Sequence, residues 1–196
     1  MSKVIDIFNT NEKYTVVVAD PPWQCRDEKT GGSYESGAAA KYRTTSTYDL
    51  CCMPVRYLLE KDSILIMWYL GSMPDDALRL AEAWGFKKFL NMNALTWGKL
   101  TKKGKPHFGL GHATRASTES CLIAYNGSIG RIIKNKSVRN YFEAAMPVDE
   151  NGKYIHSAKP DEFFDIVDRL VGTDVKRLEM FARKPRDNFD RFGDQA

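Results

Sequence analysis

A short apolar run that stops at two prolines is the feature that most constrains the fold. Residues 15–19 read TVVVA, and Asp20, Pro21, Pro22 and Trp23 follow them. A β-branched run of this kind predicts a strand buried on both faces of a parallel sheet. Because proline donates no backbone hydrogen bond, the strand must end at Asp20. The sequence therefore places a carboxylate directly after the carboxyl end of a buried strand.

The rest of the chain alternates apolar runs with amphipathic segments. Helices are predicted at 47–61 with a break at Pro54, at 74–85, and at 160–172. Strands are predicted at 63–70, 93–97, 120–125 and 175–181. The polar stretch 126–156 is predicted to be irregular, and a charged tail follows residue 181. This alternation indicates an α/β domain, residues 1–196, with helices on both faces of the sheet.

Composition narrows the class of protein. No 18-residue apolar run and no signal peptide are present, so we expect an intracellular, cytoplasmic protein with no membrane span. The four cysteines and three histidines lack metal-ligand spacing, so we expect reduced thiols and no metal site. The net charge of +4, with basic groups at 99–115 and 131–139, permits contact with nucleic acid without requiring it.

The Asp-Pro-Pro-Trp loop suits a flat ring that carries an amino group. In α/β sheets, ligands bind beyond the carboxyl ends of the strands, where Asp20 lies. Asp20 and the Pro21 carbonyl offer two acceptors for the two N–H bonds, and Trp23 offers a face for stacking on a base flipped out of its helix. Holding both N–H bonds would aim the nitrogen lone pair at a methyl donor. The tetrapeptide alone leaves this function and a simple turn equally open.

Several further motifs give the chain a family resemblance. Residues 42–46 (YRTTS), 66–68 (IMW), 84–86 (WGF), 159–162 (KPDE) and 178–183 (LEMFAR) follow the Asp-Pro-Pro-Trp loop in order. Together they resemble the adenosine amino-methyltransferase family that includes the catalytic subunit of the eukaryotic messenger-RNA m6A writer, with this chain similar to its short bacterial and phage members. The resemblance implies a Rossmann-like class I methyltransferase sheet with permuted (β-class) motif order.

The resemblance also implies S-adenosylmethionine as cofactor and assigns the site residues. The catalytic loop is Asp20, Pro21, Pro22 and Trp23. The cofactor-binding residues are Asp6, Ile7, Asp20, Lys159, Met180, Phe181, Arg183, Asp194 and Gln195. The substrate-binding residues are Tyr42, Trp97, Lys99, Arg115 and Glu119. The triplet Gly193-Asp194-Gln195 departs from the usual Gly-Asn-Gln of the family, and an aspartate at its centre cannot donate a hydrogen bond as an amide does.

The sequence is compatible with three functions. The leading one is methylation of adenine in DNA, with RNA adenosine as the close alternative, since nothing in the sequence recognises a 2′-hydroxyl. A non-catalytic nucleic-acid-binding subunit is the second, and methylation of cytosine or of a protein amide is the third. We also expect a homodimer, because so small a chain offers little surface to grip a duplex.

Overall fold

The computed structural model describes residues 2–24, 44–109 and 113–193. The strands it describes are β1 (Tyr14–Ala19), β2 (Leu59–Tyr69), β3 (Lys88–Leu100), β4 (Thr118–Asn126), β5 (Tyr141–Ala145), β6 (Arg177–Met180) and β7 (Asp190–Phe192). The α-helices are α1 (Thr47–Cys51), α2 (Pro74–Ala83), α3 (Ile129–Ile132) and α4 (Asp161–Val171), and a 3-10 helix spans Val55–Leu58.

The strands form one mixed sheet in the order β5-β3-β4-β2-β1-β6-β7. The central strand β1 runs parallel to β2 on one side and to β6 on the other, and β7 continues the parallel half beyond β6. The strand β4 runs antiparallel to both β2 and β3. The predicted strand after residue 14 is confirmed, and it lies near the middle of the sheet, where both faces are covered.

Each face of the sheet carries its own apolar cluster. Val17 and Ala19 of β1 pack on the face covered by α1 and α2, whereas Val16 and Val18 pack on the face covered by α3 and α4. Successive side chains of a strand point to opposite faces, so an unbroken apolar run is what a doubly covered strand requires. The predicted α/β sheet with helices on both faces is confirmed.

The helix α4 follows from its own sequence. Pro160 precedes it in an extended conformation, and Asp161 and Glu162 place negative charge in its first turn. The acids favour a helix start because the first turn is the positive end of the helix dipole. Proline favours it because a helix start does not need its missing N–H. The helix ends at Gly172, whose φ of 76° and ψ of 174° lie in a region that glycine occupies readily. The predicted bounds of this helix are confirmed.

Two predictions about local structure are wrong. The helix predicted over 47–61 ends at Cys51, resumes as a 3-10 turn after Pro54, and gives way to β2 at Leu59. The stretch 126–156 contains α3 and β5, and the charged tail contains β7. Pairing decides these cases, since β5 lies beside β3 and β7 lies beside β6. A strand of three to five residues is stabilised by its neighbour, which a local pattern does not reveal.

No helix among the described residues is long and apolar enough to span a bilayer. No group of three or more His, Cys, Asp or Glu side chains is placed to hold a metal ion within the described ranges. Cys51, Cys52 and Cys121 are free thiols, and Cys25 lies outside the described residues.

Replacing Gly172 with alanine is expected to lower the free energy of unfolding by about 1–3 kcal/mol, because a residue with a Cβ is strained in this backbone conformation. The added Cβ would also lie 2.8 Å from Asp174 Oδ1. Urea denaturation measures the change. Gly71→Ala is the control, since no atom lies within 4 Å of a Cβ added there. Equal effects of the two substitutions would contradict the argument.

Candidate active site

The carboxyl ends of three parallel strands bring the site together. Ala19 of β1 pairs with Met67 of β2 and with Met180 of β6. The residue that follows each strand position, Asp20, Trp68 or Phe181, therefore lies at the same edge of the sheet. A cavity of about 520 Å³ opens there. This edge is where open α/β sheets bind ligands, as expected for Asp20.

The cavity has one apolar wall and one charged wall. Its lining comprises Val18, Asp20, Trp68, Pro147, Ile155, His156, Ser157, Ala158, Lys159, Asp161, Phe164, Glu179, Phe181, Arg183, Lys184 and Arg186. A second cavity, of about 400 Å³, lies near the other end of β6 and is lined mainly by polar residues such as Lys3, Asp174 and Lys176. Only the first cavity contains the loop that carries Asp20.

A buried lysine joins the Asp-Pro-Pro-Trp loop to distant parts of the chain. Lys159 Nζ lies 2.7 Å from Asp20 Oδ2 and 3.3 Å from Glu119 Oε2. It also donates a hydrogen bond of 3.1 Å to the carbonyl of Ser157 and lies 5.3 Å from the centre of the Trp68 ring. Glu119 in turn pairs with Lys99 at 2.5 Å. Two carboxylates and two ammonium groups thus alternate along one chain of ion pairs.

Burial and charge act in opposition within this network. Burial lowers the pKa of Lys159, but the carboxylates of Asp20 and Glu119 outweigh burial and raise it above its usual value. Burial raises the pKa of Glu119, and the ammonium groups of Lys159 and Lys99 reverse this and lower it. Burial raises the pKa of Asp20, and Lys159 offsets the shift only in part. Lys159 is therefore a permanent cation in the physiological range.

The Asp-Pro-Pro-Trp loop is stiff and its polar groups are largely committed. The Pro21 carbonyl accepts a hydrogen bond of 2.8 Å from the Trp23 amide, and the Pro22 carbonyl accepts one of 2.8 Å from the Thr45 amide. A carbonyl oxygen has two lone pairs, so the Pro21 oxygen keeps one for a further donor. Its role as the second acceptor beside Asp20 stays a prediction.

Trp23 occupies a core position. Its side chain is 5% exposed, and its indole N–H donates a hydrogen bond of 3.2 Å to the Trp68 carbonyl. The ring packs in the apolar cluster of the α1 and α2 face. Stacking of this ring on a target base stays a prediction, and it would require the indole to leave this packing. In the described conformation, Trp23 anchors the loop.

The residues predicted to bind the cofactor lie in different places. Lys159, Phe181 and Arg183 line the cavity, and Arg183 donates a hydrogen bond of 2.7 Å to the His156 carbonyl. Met180 is buried behind them. Asp6 is exposed and accepts a hydrogen bond from the Phe8 amide, whereas Ile7 is buried. Asp194 and Gln195 lie outside the described residues.

An aromatic chain connects the N-terminal segment to the cavity. The Phe8 ring meets the Phe192 ring edge to face at 6.5 Å, and Phe192 meets Phe181 at the same distance. Gly193 approaches the same turn so closely that a Cβ there would lie 2.7 Å from the Ala182 carbonyl oxygen. These contacts place the segment of Asp6 and Ile7 beside the end of β6.

The residues predicted to bind substrate are also divided. Trp97 is 2% exposed, and its indole N–H donates to the Ala144 carbonyl, so it belongs to the core. Lys99 and Glu119 belong to the ion-pair network. The Arg115 guanidinium lies 4.7 Å from the centre of the exposed Phe108 ring. The ion-pair partners of Glu119 among the described residues are Lys99 and Lys159, and Arg115 is not one of them. Tyr42 lies outside the described residues.

The sequence gives no role to Glu179 of β6. Arg186 Nε lies 3.4 Å from Glu179 Oε2. The structure adds that Glu179 lines the cavity beside Asp20. Burial raises its pKa to about 7, although Arg186 acts in the opposite direction. The signal available in the sequence for this residue was an acid inside the apolar run LEMF at 178–181.

A mixed seven-stranded sheet flanked by helices, with its cavity at the carboxyl ends of the central parallel strands, is the architecture of a Rossmann-like methyltransferase. The chain belongs to the MT-A70 family, whose model matches residues 14–195. The resemblance inferred from the motifs is therefore confirmed.

Three relatives illustrate the similarity. The chain is 26% identical over 185 residues to the N(6)-adenosine-methyltransferase MT-A70-like of Arabidopsis thaliana, with 91% of this chain and 22% of the relative covered. It is 24% identical to the N6-methyladenosine RNA methyltransferase MTA1 of Pyricularia oryzae, with 97% and 49% covered. It is 23% identical to the human N(6)-adenosine-methyltransferase catalytic subunit METTL3, with 87% and 26% covered. The chain thus spans less than half the length of these relatives.

S-adenosylmethionine is the methyl donor of MT-A70 methyltransferases, so the cofactor expected from the sequence is confirmed for the family. The described residues fit it. The cavity lies within the usual range of about 300–1,000 Å³ for small-molecule sites. Lys159 and Arg183 supply cations for a carboxylate, whereas Phe181, Trp68 and the acids supply surfaces suited to the positive sulfonium.

Replacing Lys159 with methionine is expected to lower the free energy of unfolding by about 3 kcal/mol at pH 8, because Asp20 and Glu119 lose their shared counter-ion. The pKa of each carboxyl then rises in the folded protein, so protonation relieves the repulsion as the pH falls. The loss should therefore be smaller at pH 5 than at pH 8. Urea denaturation at both values measures it.

Lys184→Met is the matched control, because the ion pair of Lys184 with Asp161 is exposed to solvent. Its effect on stability should be small at either pH. A loss for Lys159→Met that is the same at pH 5 and pH 8 would show that the ammonium does not neutralise these carboxylates.

Proposed function

We propose that this chain transfers a methyl group from S-adenosylmethionine to the exocyclic N6 amino group of adenine in a nucleic acid. One observation carries the proposal: the Asp20 carboxylate lines a cavity beside the lysine that pairs with it, and the Pro21 carbonyl follows it in the loop. That arrangement suits a donor-rich amino group better than a hydroxyl or a thiol, since an amino group presents two N–H bonds.

The residues of the Asp-Pro-Pro-Trp loop have distinct chemical roles in this reaction. Asp20 and the Pro21 carbonyl accept the two N–H bonds of the adenine amino group, which orients its lone pair toward the methyl carbon. When bound, S-adenosylmethionine supplies a methyl group on positively charged sulfur, which departs as a neutral thioether. The new N–C bond leaves the adenine nitrogen with one proton too many, and Asp20 accepts that proton. The prolines hold this geometry before the substrate arrives, so little reorganisation is needed.

Lys159 is assigned a double role at the boundary of the site. Its ammonium keeps Asp20 ionised against the effect of burial, so that the carboxylate is ready to accept hydrogen bonds. The same group is placed to meet the carboxylate of the methyl donor. Glu119 forms a second ion pair with this lysine, and Lys99 in turn pairs with Glu119, so that the charges of the network balance. Glu119 is thereby assigned to positioning as well as to the substrate entrance.

The polymer that carries the adenine is the finer part of the proposal. Similarity to the short bacterial and phage members of the family favours DNA. RNA adenosine is the second candidate, and the names of the relatives favour it, because they describe adenosine methyltransferases and in one case an RNA methyltransferase. The loop geometry concerns the base alone, which both polymers share. Mass spectrometry of nucleosides from DNA and RNA oligonucleotides of one sequence separates the two: N6-methyladenosine without its deoxy counterpart would overturn the DNA choice.

A non-catalytic binding subunit is the competing class of function. A complete Asp20–Lys159 pair facing a cavity argues for catalysis, because a binding subunit needs neither the buried carboxylate nor its counter-ion. Absence of donor binding in calorimetry, together with retained binding of oligonucleotides, would favour the binding subunit instead. The homodimer stays a prediction, and sedimentation that shows a fully active monomer would refute it.

Replacing Asp20 with asparagine is expected to reduce methyl transfer at least about 100-fold, because the variant keeps the shape of the side chain but loses the negative charge and the proton acceptor. Transfer of a labelled methyl group to an adenine-containing oligonucleotide measures the loss. Asp75→Asn is the control, since Asp75 is exposed in the first turn of α2, on the other face of the sheet. Wild-type rates in Asp20→Asn would show that Asp20 is not catalytic.

A further inference from the structure

The cavity contains a second acid that the reaction described above does not use. Glu179 lies on β6, level with Val18 of β1, and so points to the face of the sheet that α4 covers. Its side chain is 13% exposed. It lines the same cavity as Asp20 and Phe181. A carboxylate held at this depth is costly unless something favourable reaches it.

The protein itself leaves that carboxylate incompletely satisfied. Oε2 of Glu179 is buried and accepts no hydrogen bond from the described residues. Arg186 Nε lies 3.4 Å away but is not aligned for a hydrogen bond. The guanidinium of Arg186 is committed elsewhere, since it pairs with Asp161 at 2.5 Å and stacks 3.5 Å from the centre of the Phe164 ring. Oε2 is itself closed to solvent, so the part of the Glu179 carboxylate that lines the cavity is what a positive partner can contact.

We propose that the Glu179 carboxylate recognises the positive charge of the methyl donor's sulfonium and thereby favours the donor over the spent by-product. The proposal rests on the proposed function. S-adenosylmethionine carries a sulfonium cation, and after transfer S-adenosylhomocysteine carries a neutral thioether in its place. The two molecules share the adenosine, the carboxylate and the α-ammonium. A group that interacts with the charge on sulfur is therefore the simplest means of distinguishing the two molecules.

The surroundings of Glu179 support attraction of a cation at this point. Phe181 and Trp68 present aromatic rings to the cavity, and ring faces attract cations. Lys159 and Arg183 line the same cavity and are suited to the carboxylate of the ligand, which leaves the acids for its positive groups. Asp20 directly follows β1, and Glu179 lies on the adjacent strand β6. Their carboxylates therefore share the edge of the sheet where the methyl group must be delivered.

The same residue makes the discrimination sensitive to pH. Burial raises the pKa of Glu179 to about 7, with Asp20 and Asp161 adding to the rise and Arg186 and Lys184 opposing it. The neighbouring strand β7 contributes Arg191 at the register position next to Glu179. A cationic ligand favours the ionised carboxylate, so donor affinity should increase as the pH rises from 6 to 8. The neutral by-product gains nothing from that ionisation at sulfur.

Isothermal titration calorimetry with S-adenosylmethionine and S-adenosylhomocysteine tests the proposal on the whole chain. Glu179→Gln keeps the shape of the side chain and removes its charge. The donor should bind at least about tenfold more weakly to the variant at pH 8, as expected for loss of a charged hydrogen-bonding partner. The by-product should bind as it does to wild type, and this unchanged affinity shows that the variant is folded.

A second measurement needs no variant. In wild type, the ratio of donor to by-product affinity should rise from pH 6 to pH 8, and in Glu179→Gln it should stay level. Taking the ratio removes titration of groups that the two ligands share. Glu162→Gln, at an exposed position in the first turn of α4, is the matched control and should behave as wild type.

The outcomes separate this proposal from the proposed function. Equal weakening of donor and by-product in Glu179→Gln, or no weakening of either, overturns the role of Glu179 and leaves the methyltransferase function standing. A ratio that does not change with pH in wild type overturns it as well. Wild type that binds neither ligand would overturn the proposed function itself.

Discussion

The ammonium of Lys159, buried between the carboxylates of Asp20 and Glu119, is the interaction on which the rest of the site depends. Burial raises the pKa of both carboxyl groups, and the ammonium acts against that shift at each of them. The three residues come from the ends of different elements: the loop after β1, the strand β4 and the segment before α4. One ion-pair network therefore joins the Asp-Pro-Pro-Trp loop to β4 and to the segment before α4.

The remainder of the cavity follows from the parallel arrangement of β1 and β6. Parallel neighbours end at the same edge, so the acid after β1 and the acid within β6 share one cavity, where their charges act on each other. Their environments differ: Asp20 has a lysine at 2.7 Å, whereas Glu179 has only a poorly aligned arginine at 3.4 Å. The first is suited to orienting a substrate amino group and accepting its proton, and the second to sensing the charge of a ligand.

Much of the fold was predictable because the decisive patterns are local. The run before Asp20, the apolar periodicity of α4, its Pro160 start and its Gly172 end all depend on neighbouring residues, and each was found where predicted. The short strands β5 and β7 were missed, since each exists only through pairing with β3 or β6. For the site, the motifs predicted Asp20, Lys159, Phe181 and Arg183 at the cavity, but they also nominated Trp97, whose indole turned out to be buried against the Ala144 carbonyl.

The sequence by itself determined the class of fold, the position of the catalytic loop and the family, because alternation of apolar residues and the order of short motifs are properties of the chain alone. Only the tertiary structure decided which charges meet. Lys159 pairs with residues 139 and 40 positions away along the chain, and Glu179 faces the cavity because β6 lies beside β1. Ion pairs and burial depend on through-space distance, and the strand order that sets those distances is not written in any local pattern.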